Sequence, residues 1–202
     1  MKGKHGMKIT IDGRKIELTE EKAKEIREFL GIKSKTLAEV AVGDTFHIGE
    51  FEFIKFADNN GQTTAVMKDS IFESKFDDST NNFAKSSIYK RLVKEVLPKI
   101  EKIVDAENIV EFETDLFTAD GLDIYGKMKS KISLPTFDFY RSNRAIFDKY
   151  PVEYWWWTST ANGNERVVFC VSPSGDLRNF HSDDDNHCVR PFLIFLSNIF
   201  VS

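Results

Sequence analysis

Three tryptophans stand side by side in the segment YWWWTST, residues 154–160. In a strand, successive side chains leave on opposite faces, so Trp156 must point away from Trp155 and Trp157. Packing into a core is expected on at least one of those faces. An exposed Trp beside a loop would instead add recognition area, because aromatics dominate binding hot spots. A chain of 202 residues that is 41% hydrophobic and holds 18 Phe has the material for a sizeable core.

Ahead of the tryptophans, the pattern divides the chain in two. KITIDGRKIEL (8–18) reads as a hairpin: Ile9 and Ile11 alternate with polar residues, Asp12-Gly13 supplies the turn, and Ile16 and Leu18 continue the alternation. Thr19 is placed to cap the helix TEEKAKEIREFL, and Gly31 to close it. Its apolar stripe, Ala23, Ile26, Phe29 and Leu30, is narrow, and a unit this small should dock on something. IKSKT (32–36) looks like the joint.

From Leu37 the pattern changes to short strands, with DNNG (58–61) as a turn. In SSIYKRLVKEVLPKIEKI, Ile88, Leu92, Val96 and Ile100 share one helical face behind a Ser86 or Ser87 cap, and Pro98 should kink or end the helix. KISLPTFDFYRSN (131–143) reads as a strand into a turn, and the last sixty residues as strands and long loops. The expected class is α+β: a hairpin-helix appendage over residues 1–35 and a domain over 37–202 with a strand-rich C-terminal half.

Several functions are disfavoured. A net charge of −4 without a basic stripe gives no footprint for nucleic acid. MKGKHGMKITIDG turns polar where a secretory signal needs an apolar core, and no apolar run approaches the ~18 residues of a membrane span. No membrane insertion is expected, and the location should be the cytoplasm or a virion. Cys170 and Cys188 read as two free thiols. No phosphate-binding glycine loop and no G-x-S-x-G elbow appears, so neither an enzyme nor a cofactor is expected.

The tail has an unusual inventory. The chain holds 20 Lys, 16 Glu, one Gln, four Met and three Trp, and every one lies at or before Glu165. Random scattering would leave the final 37 residues empty of all five about once in 100,000 trials. Strands and turns use fewer helix formers, which explains part of this, yet exposed strands usually carry Lys and Glu. These five amino acids are the ones that codons ending in a pyrimidine cannot encode. Randomising AAY codons would fill a tail with Asn, Asp, Ser, His, Arg, Phe, Tyr, Cys and Pro, the inventory of RNFHSDDDNH (178–187).

WWWTSTA (155–161), VSPSGDL (171–177) and CVRPFLIF (188–195), with SSIYKRLVKEVLPKI and ISLPTFDFY before them, resemble phage and prophage proteins carrying the domain of unknown function numbered 6273. The likeness covers roughly residues 37–202. It implies a C-type-lectin-like fold shared with formylglycine-generating enzymes, and for some members a C-terminal segment mutagenised at adenines by a diversity-generating retroelement. Carried onto this chain, the variable segment is 166–188. Its ligand-binding positions are drawn from Phe169, Cys170, Ser172, Ser174, Asp176, Arg178, Asn179, Phe180, His181, Asp183, Asp184, Asp185, Asn186 and His187.

The resemblance implies a display protein of phage or prophage origin whose diversified surface meets a protein or glycan on a target surface. The oligomeric state is left open. A virion structural or adhesion protein without diversification is the alternative, and an enzyme related to the formylglycine-generating group a third. Those listed side chains should point to solvent on one continuous face, because burying an unpaired charge costs as much as a domain's whole stability. Val171, Leu177, Val189 and Phe192 should point inward.

A metal is the competing reading of this segment. His181, Asp183, Asp185 and His187 alternate, so an extended strand would set all four on one face with ligand types that suit zinc. The glycine and glutamate of a calcium loop and the calcium motifs of sugar-binding lectins are missing. A solvated or partner-reading loop is therefore expected, with no metal. Arg190 reads as a structural hydrogen-bond fork.

Overall fold

The computed structural model describes residues 7–11, 14–29, 35–163, 166–184 and 187–202. The leading hairpin forms as the alternation predicts: β1 (Met7–Ile11) pairs with β2 (Arg14–Leu18), Ile9 opposite Ile16. Helix α1 (Glu20–Phe29) follows, with the Lys22 amide donating to Thr19 Oγ1 at 3.4 Å. Asp12-Gly13, Gly31 and residues 32–34 of the joint lie outside the described residues. Among the described residues of the apolar stripe, Ile26 is exposed and Phe29 is 89% exposed, so the expected docking is not seen at these two side chains.

The remaining strands are, in chain order, β3 (Lys35–Thr36), β4 (Thr45–Ile48), β5 (Phe51–Asn59), β6 (Gln62–Met67), β7 (Phe72–Ser74), β8 (Phe112–Asp115), β9 (Lys127–Ser130) and β10 (Ile132–Ser133). They continue with β11 (Trp156–Ala161), β12 (Val167–Val171), β13 (Leu177–His181), β14 (His187–Val189), β15 (Phe192–Leu196) and β16 (Phe200–Val201). The result is a mixed α+β protein, mostly sheet. One five-stranded sheet has the order β10-β15-β6-β5-β4 and is antiparallel throughout. Asn60 and Gly61, both at positive φ, close the tight β5–β6 turn that DNNG predicts. The second sheet has the order β13-β12-β11-β14-β7, with β14 parallel to β11 and the other pairs antiparallel. Strands β3 and β16 pair, so the start of this body is tied to its end.

The long helical segment buries Ile88, Leu92, Val96 and Ile100, as its period predicts, and Ser86 Oγ accepts from the Tyr89 amide at 3.1 Å. Pro98 does not end it. Helix α2 (Ser87–Arg91) passes through a π-turn at Leu92–Val96 into α3 (Leu97–Val104), where Pro98 sits in the first turn and its missing N–H is harmless. The predicted turn after Pro135 is instead helical. Thr136 Oγ1 accepts from the Phe139 amide at 3.0 Å and starts α4 (Phe137–Ser142), followed by α5 (Arg144–Phe147).

Strand β11 is buried along its whole length, and the tryptophans alternate across it. Trp157 enters the larger core with Phe53, Phe76, Leu92 and Phe195, and Trp155 packs at its margin. Trp156 enters a second core with Ile54, Phe56, Tyr140, Phe147 and Val171. Trp157 is held by an edge contact with Phe76 at 5.6 Å and by its Nε1 donating to the Ser74 carbonyl at 2.8 Å. Lys55, also buried, donates to the Leu37 carbonyl at 2.8 Å and to Asp58 at 2.6 Å. Asp58 in turn accepts from Ser197 and Thr63, so the network joins the first sheet to both ends of the body.

Trp157→Ala should cost about 3–5 kcal/mol, since it removes a fully enclosed ring and orphans the Ser74 carbonyl. Urea denaturation measures this directly, and a loss under ~1 kcal/mol would contradict the packing described.

Candidate functional site

The tail folds as a hairpin on the outside of the second sheet. Strand β12 is an apolar run, VVFCV, lying against β11, while β13 is the outer strand beyond it. Cross-strand partners share a face, which fixes where each side chain goes. Val168 faces Phe180 and Cys170 faces Arg178, on the side of Trp157. Val167 faces His181, Phe169 faces Asn179 and Val171 faces Leu177, on the side of Trp156.

The turn between the strands is tightly made. The Ser172 amide donates to the Asp176 carbonyl at 2.8 Å, and Ser172 Oγ accepts from the Asp176 amide at 2.9 Å. Gly175 has φ +83, and a Cβ there would lie 2.7 Å from Arg144 Nη2 and 3.0 Å from the Tyr140 hydroxyl. That hydroxyl donates to the Gly175 carbonyl at 2.7 Å. Residues outside the tail therefore grip the turn from below.

The far end of the hairpin rests on the loop FDDSTNN (76–82), a bracing role that the sequence reading missed. Asp77 accepts from the amides of Ser79, Thr80 and Ser87 and from the Ser79 hydroxyl, and its own amide donates to the Ser182 carbonyl at 2.9 Å. Burial pushes the Asp77 carboxyl up, but the hydrogen bonds from Ser79, Ser87 and Thr80 outweigh it and hold the group below its ordinary 3.8. Asn81 Nδ2 donates to the Val167 carbonyl at 3.2 Å, and Arg166 donates to the Asp78 carbonyl at 3.1 Å. The Asp-x-Ser spacing was the available signal, since such residues close local turns.

Of the predicted surface positions, Ser174, Asp176, Arg178, Asn179 and His181 are exposed, and Phe169, Phe180, Asp183 and Asp184 are half-buried. Asp185 and Asn186 lie outside the described residues. Three predictions of exposure are corrected. Cys170 is fully buried beside Trp157, because β12 is covered on both faces. Ser172 is 6% exposed, its side chain spent on the turn. His187 is 7% exposed, stacked on Trp157 at 4.4 Å and edge-on to Phe180 at 4.8 Å.

The single continuous face is corrected too. Arg178 and Phe180 leave β13 on one side, and Asn179 and His181 on the other. An outer strand offers both sides and its edge, so the exposed positions wrap around it. Val171 and Val189 are buried as expected, whereas Leu177 and Phe192 are only partly covered, against the second core. Asp184 is not free in water: the His181 amide donates to its Oδ2 at 3.0 Å and the Asp184 amide back to the His181 carbonyl.

This exchange turns the chain after His181, which removes the premise of a four-ligand strand face. His181 ends β13 exposed, while His187 is packed on Trp157. Among the described residues no group of three or more His, Cys, Asp or Glu gathers to hold a metal. Cys170 pairs opposite Trp157 and Cys188 opposite Trp156, so the two thiols lie on opposite faces of the sheet and cannot converge on one ion or on each other. Burial raises both thiols, Cys170 well above the usual range. Also among the described residues, no helix is long and apolar enough to cross a membrane. Comparisons with protein-family models, with curated proteins and with solved structures return no match.

Gly175→Ala should destabilise by at least ~1–2 kcal/mol, from the left-handed backbone and the contact with Arg144. Asn179→Ala, four positions on, should cost under ~0.5 kcal/mol. Equal losses in denaturant melts would show that turn and strand are not distinct in this way. Asp77→Asn carries a pH signature. A lowered native pKa gives stability that is complete above the unfolded pKa and lost as pH falls through the native one. The gap between wild type and Asp77→Asn should be widest near neutrality, about 1.5–3 kcal/mol, and close below about pH 4. A gap that stays constant to pH 2 would show that the carboxylate charge is not what the loop uses.

Proposed function

We propose that the chain is a C-type-lectin-like recognition module, not an enzyme, whose β12–β13 hairpin carries a diversified surface for a protein or glycan on a target surface. The carrying observation is the meeting of two independent features. The segment with the residue inventory of pyrimidine-ending codons supplies the outer strand of a sheet, and residues outside the segment hold the turn before it and the strand beneath it. Ser174, Asp176, Arg178, Asn179 and His181 are then free to change, with Phe169 and Phe180 as half-covered aromatic anchors. Adaptable polar groups plus a few aromatics on a fixed frame is the composition that antibody paratopes use. Phe169 fits this role: it is packed edge-on to Phe137 at 5.2 Å, and so presents its ring without freedom to move. A phage or prophage origin, in a virion or the host cytoplasm, follows from the family likeness.

The decisive observation is genetic. An adenine-rich repeat nearly identical to the codons for 166–188 should lie beside the gene; its absence would favour an adhesion protein of fixed sequence. The protein itself offers a second test. Replacing Arg178, Asn179 and His181 together with Ala should lower stability by under about 1.5 kcal/mol, a few degrees in Tm. A loss of cooperative melting in that variant would remove the hairpin from consideration as a diversified surface.

A further inference from the structure

Beside the hairpin turn, on the Trp156 side of the sheet, lies a cavity of about 250 Å³. Its floor includes Arg190, which is 1% exposed. The guanidinium stacks over Trp156 and Phe147, at 5.3 and 5.4 Å from the ring centres. Nε donates to the Met67 carbonyl at 3.1 Å. Among the described residues that is its one hydrogen bond; Nη2 is enclosed without a partner, and no carboxylate comes within ion-pair distance. Burial lowers its pKa to about 10, so it remains a cation at neutral pH. The sequence-based expectation of a structural hydrogen-bond fork is met at Nε alone.

A buried cation of this kind is costly. Cation–π contacts offset only part of the desolvation penalty of a buried charge. The rest of the cavity does not supply the missing anion. Asp148 on its wall is already engaged with Arg144 at 3.4 Å, so the lining carries one net positive charge. The wall around Arg190 is aromatic and aliphatic, with Tyr150 and Val152 among its members, while Ser172 and Ser174 of the turn bring polar groups to the mouth.

We propose that this cavity is a binding site for a small monocarboxylate with a flat apolar body, whose carboxylate accepts from the free edge of the Arg190 guanidinium. A planar fork matches a carboxylate in shape as well as charge. A phosphate dianion suits the site less, since one net positive charge would leave it under-compensated beside Asp148. The volume falls below the ~300–1,000 Å³ of drug-sized pockets, which limits the ligand to a single ring or its equivalent. The site does not depend on the tail being diversified: Arg190, Trp156 and Phe147 lie outside the variable segment, and only the turn at its mouth belongs to it.

Isothermal titration of the full chain with benzoate, and in parallel with its neutral isostere benzamide, tests the assignment. Benzoate should bind at one saturable site and benzamide at least tenfold more weakly. Val152→Trp, which fills the cavity from a partly exposed position without touching Arg190, should weaken benzoate at least tenfold while leaving Tm within a few degrees. Equal affinity for benzoate and benzamide would overturn the role of Arg190. Full benzoate affinity in Val152→Trp would move binding elsewhere on the protein. The absence of saturable benzoate binding up to millimolar concentration would overturn the site itself. The benzoate–benzamide comparison needs no variant and stands even if Val152→Trp fails to fold.

Discussion

Adjacent tryptophans on one strand, Trp156 and Trp157, force the architecture to provide two separate cores. Each ring is nearly or fully enclosed, and each needs its own partners: Phe76 and His187 around Trp157, Tyr140, Phe147 and Arg190 around Trp156. Strand β11 therefore has no solvent face anywhere along its length. Its neighbour β12 inherits the same condition at Val167, Val168, Cys170 and Val171. On the hairpin side of β11, the sheet becomes mostly exposed only at β13, two strands out. The position of the proposed recognition surface agrees with this constraint. Variation is affordable where no ring depends on it, and that begins one strand beyond the one that supports Trp156 and Trp157.

Two cations are fully buried among the described residues, and they are handled in opposite ways. Lys55 is met by a carbonyl and by Asp58, whose own charge is shared with Ser197 and Thr63. Burial alone would push the Asp58 carboxyl up, yet its bonds to Lys55, Ser197 and Thr63 hold it low. Removing one partner from such a pair leaves the other charge buried, which costs several kcal/mol. Arg190 has ring faces and one carbonyl. One charge is closed off by the fold; the other is left facing a cavity. The contrast within a single molecule argues that the second arrangement is not a general tolerance for buried charge.

Much of the frame was legible because it rests on periodicity. Ile88, Leu92, Val96 and Ile100 lie on one helical face in the sequence and are buried in the structure, and the Trp155–Trp157 alternation needed only strand geometry. What failed were inferences about side chains whose direction is set by partners far along the chain. Pro98 is harmless because a π-turn precedes it, and nothing local announces a π-turn. The residues after Pro135 became a helix because Thr136 caps it, although TFDFY has the composition of a strand. Phe29 stayed exposed because amphipathicity says what a face prefers, not whether the fold offers it a partner.

The codon inventory failed in a more instructive way at Cys170, Ser172 and His187. It reports how a position is encoded, and a cysteine, serine or histidine placed by ordinary selection has the same kind of codon as one placed by mutagenesis. Structure separates the two. A random Asp at position 170 would set an unpaired charge against Trp157, at a cost comparable to the ~5–15 kcal/mol that holds a domain together. A random residue at 172 would lose the hydroxyl that closes the turn, and one at 187 the ring stacked on Trp157. These three belong to the frame, whatever their codons. The positions that satisfy both filters among the described residues are Phe169, Ser174, Asp176, Arg178, Asn179, Phe180, His181, Asp183 and Asp184. They occupy β13, the turn before it, the turn after it and one outward-facing ring on β12. The depleted inventory runs on through the buried strand β14 and the half-buried β15, so it is solvent exposure that narrows the proposed variable positions to a single hairpin.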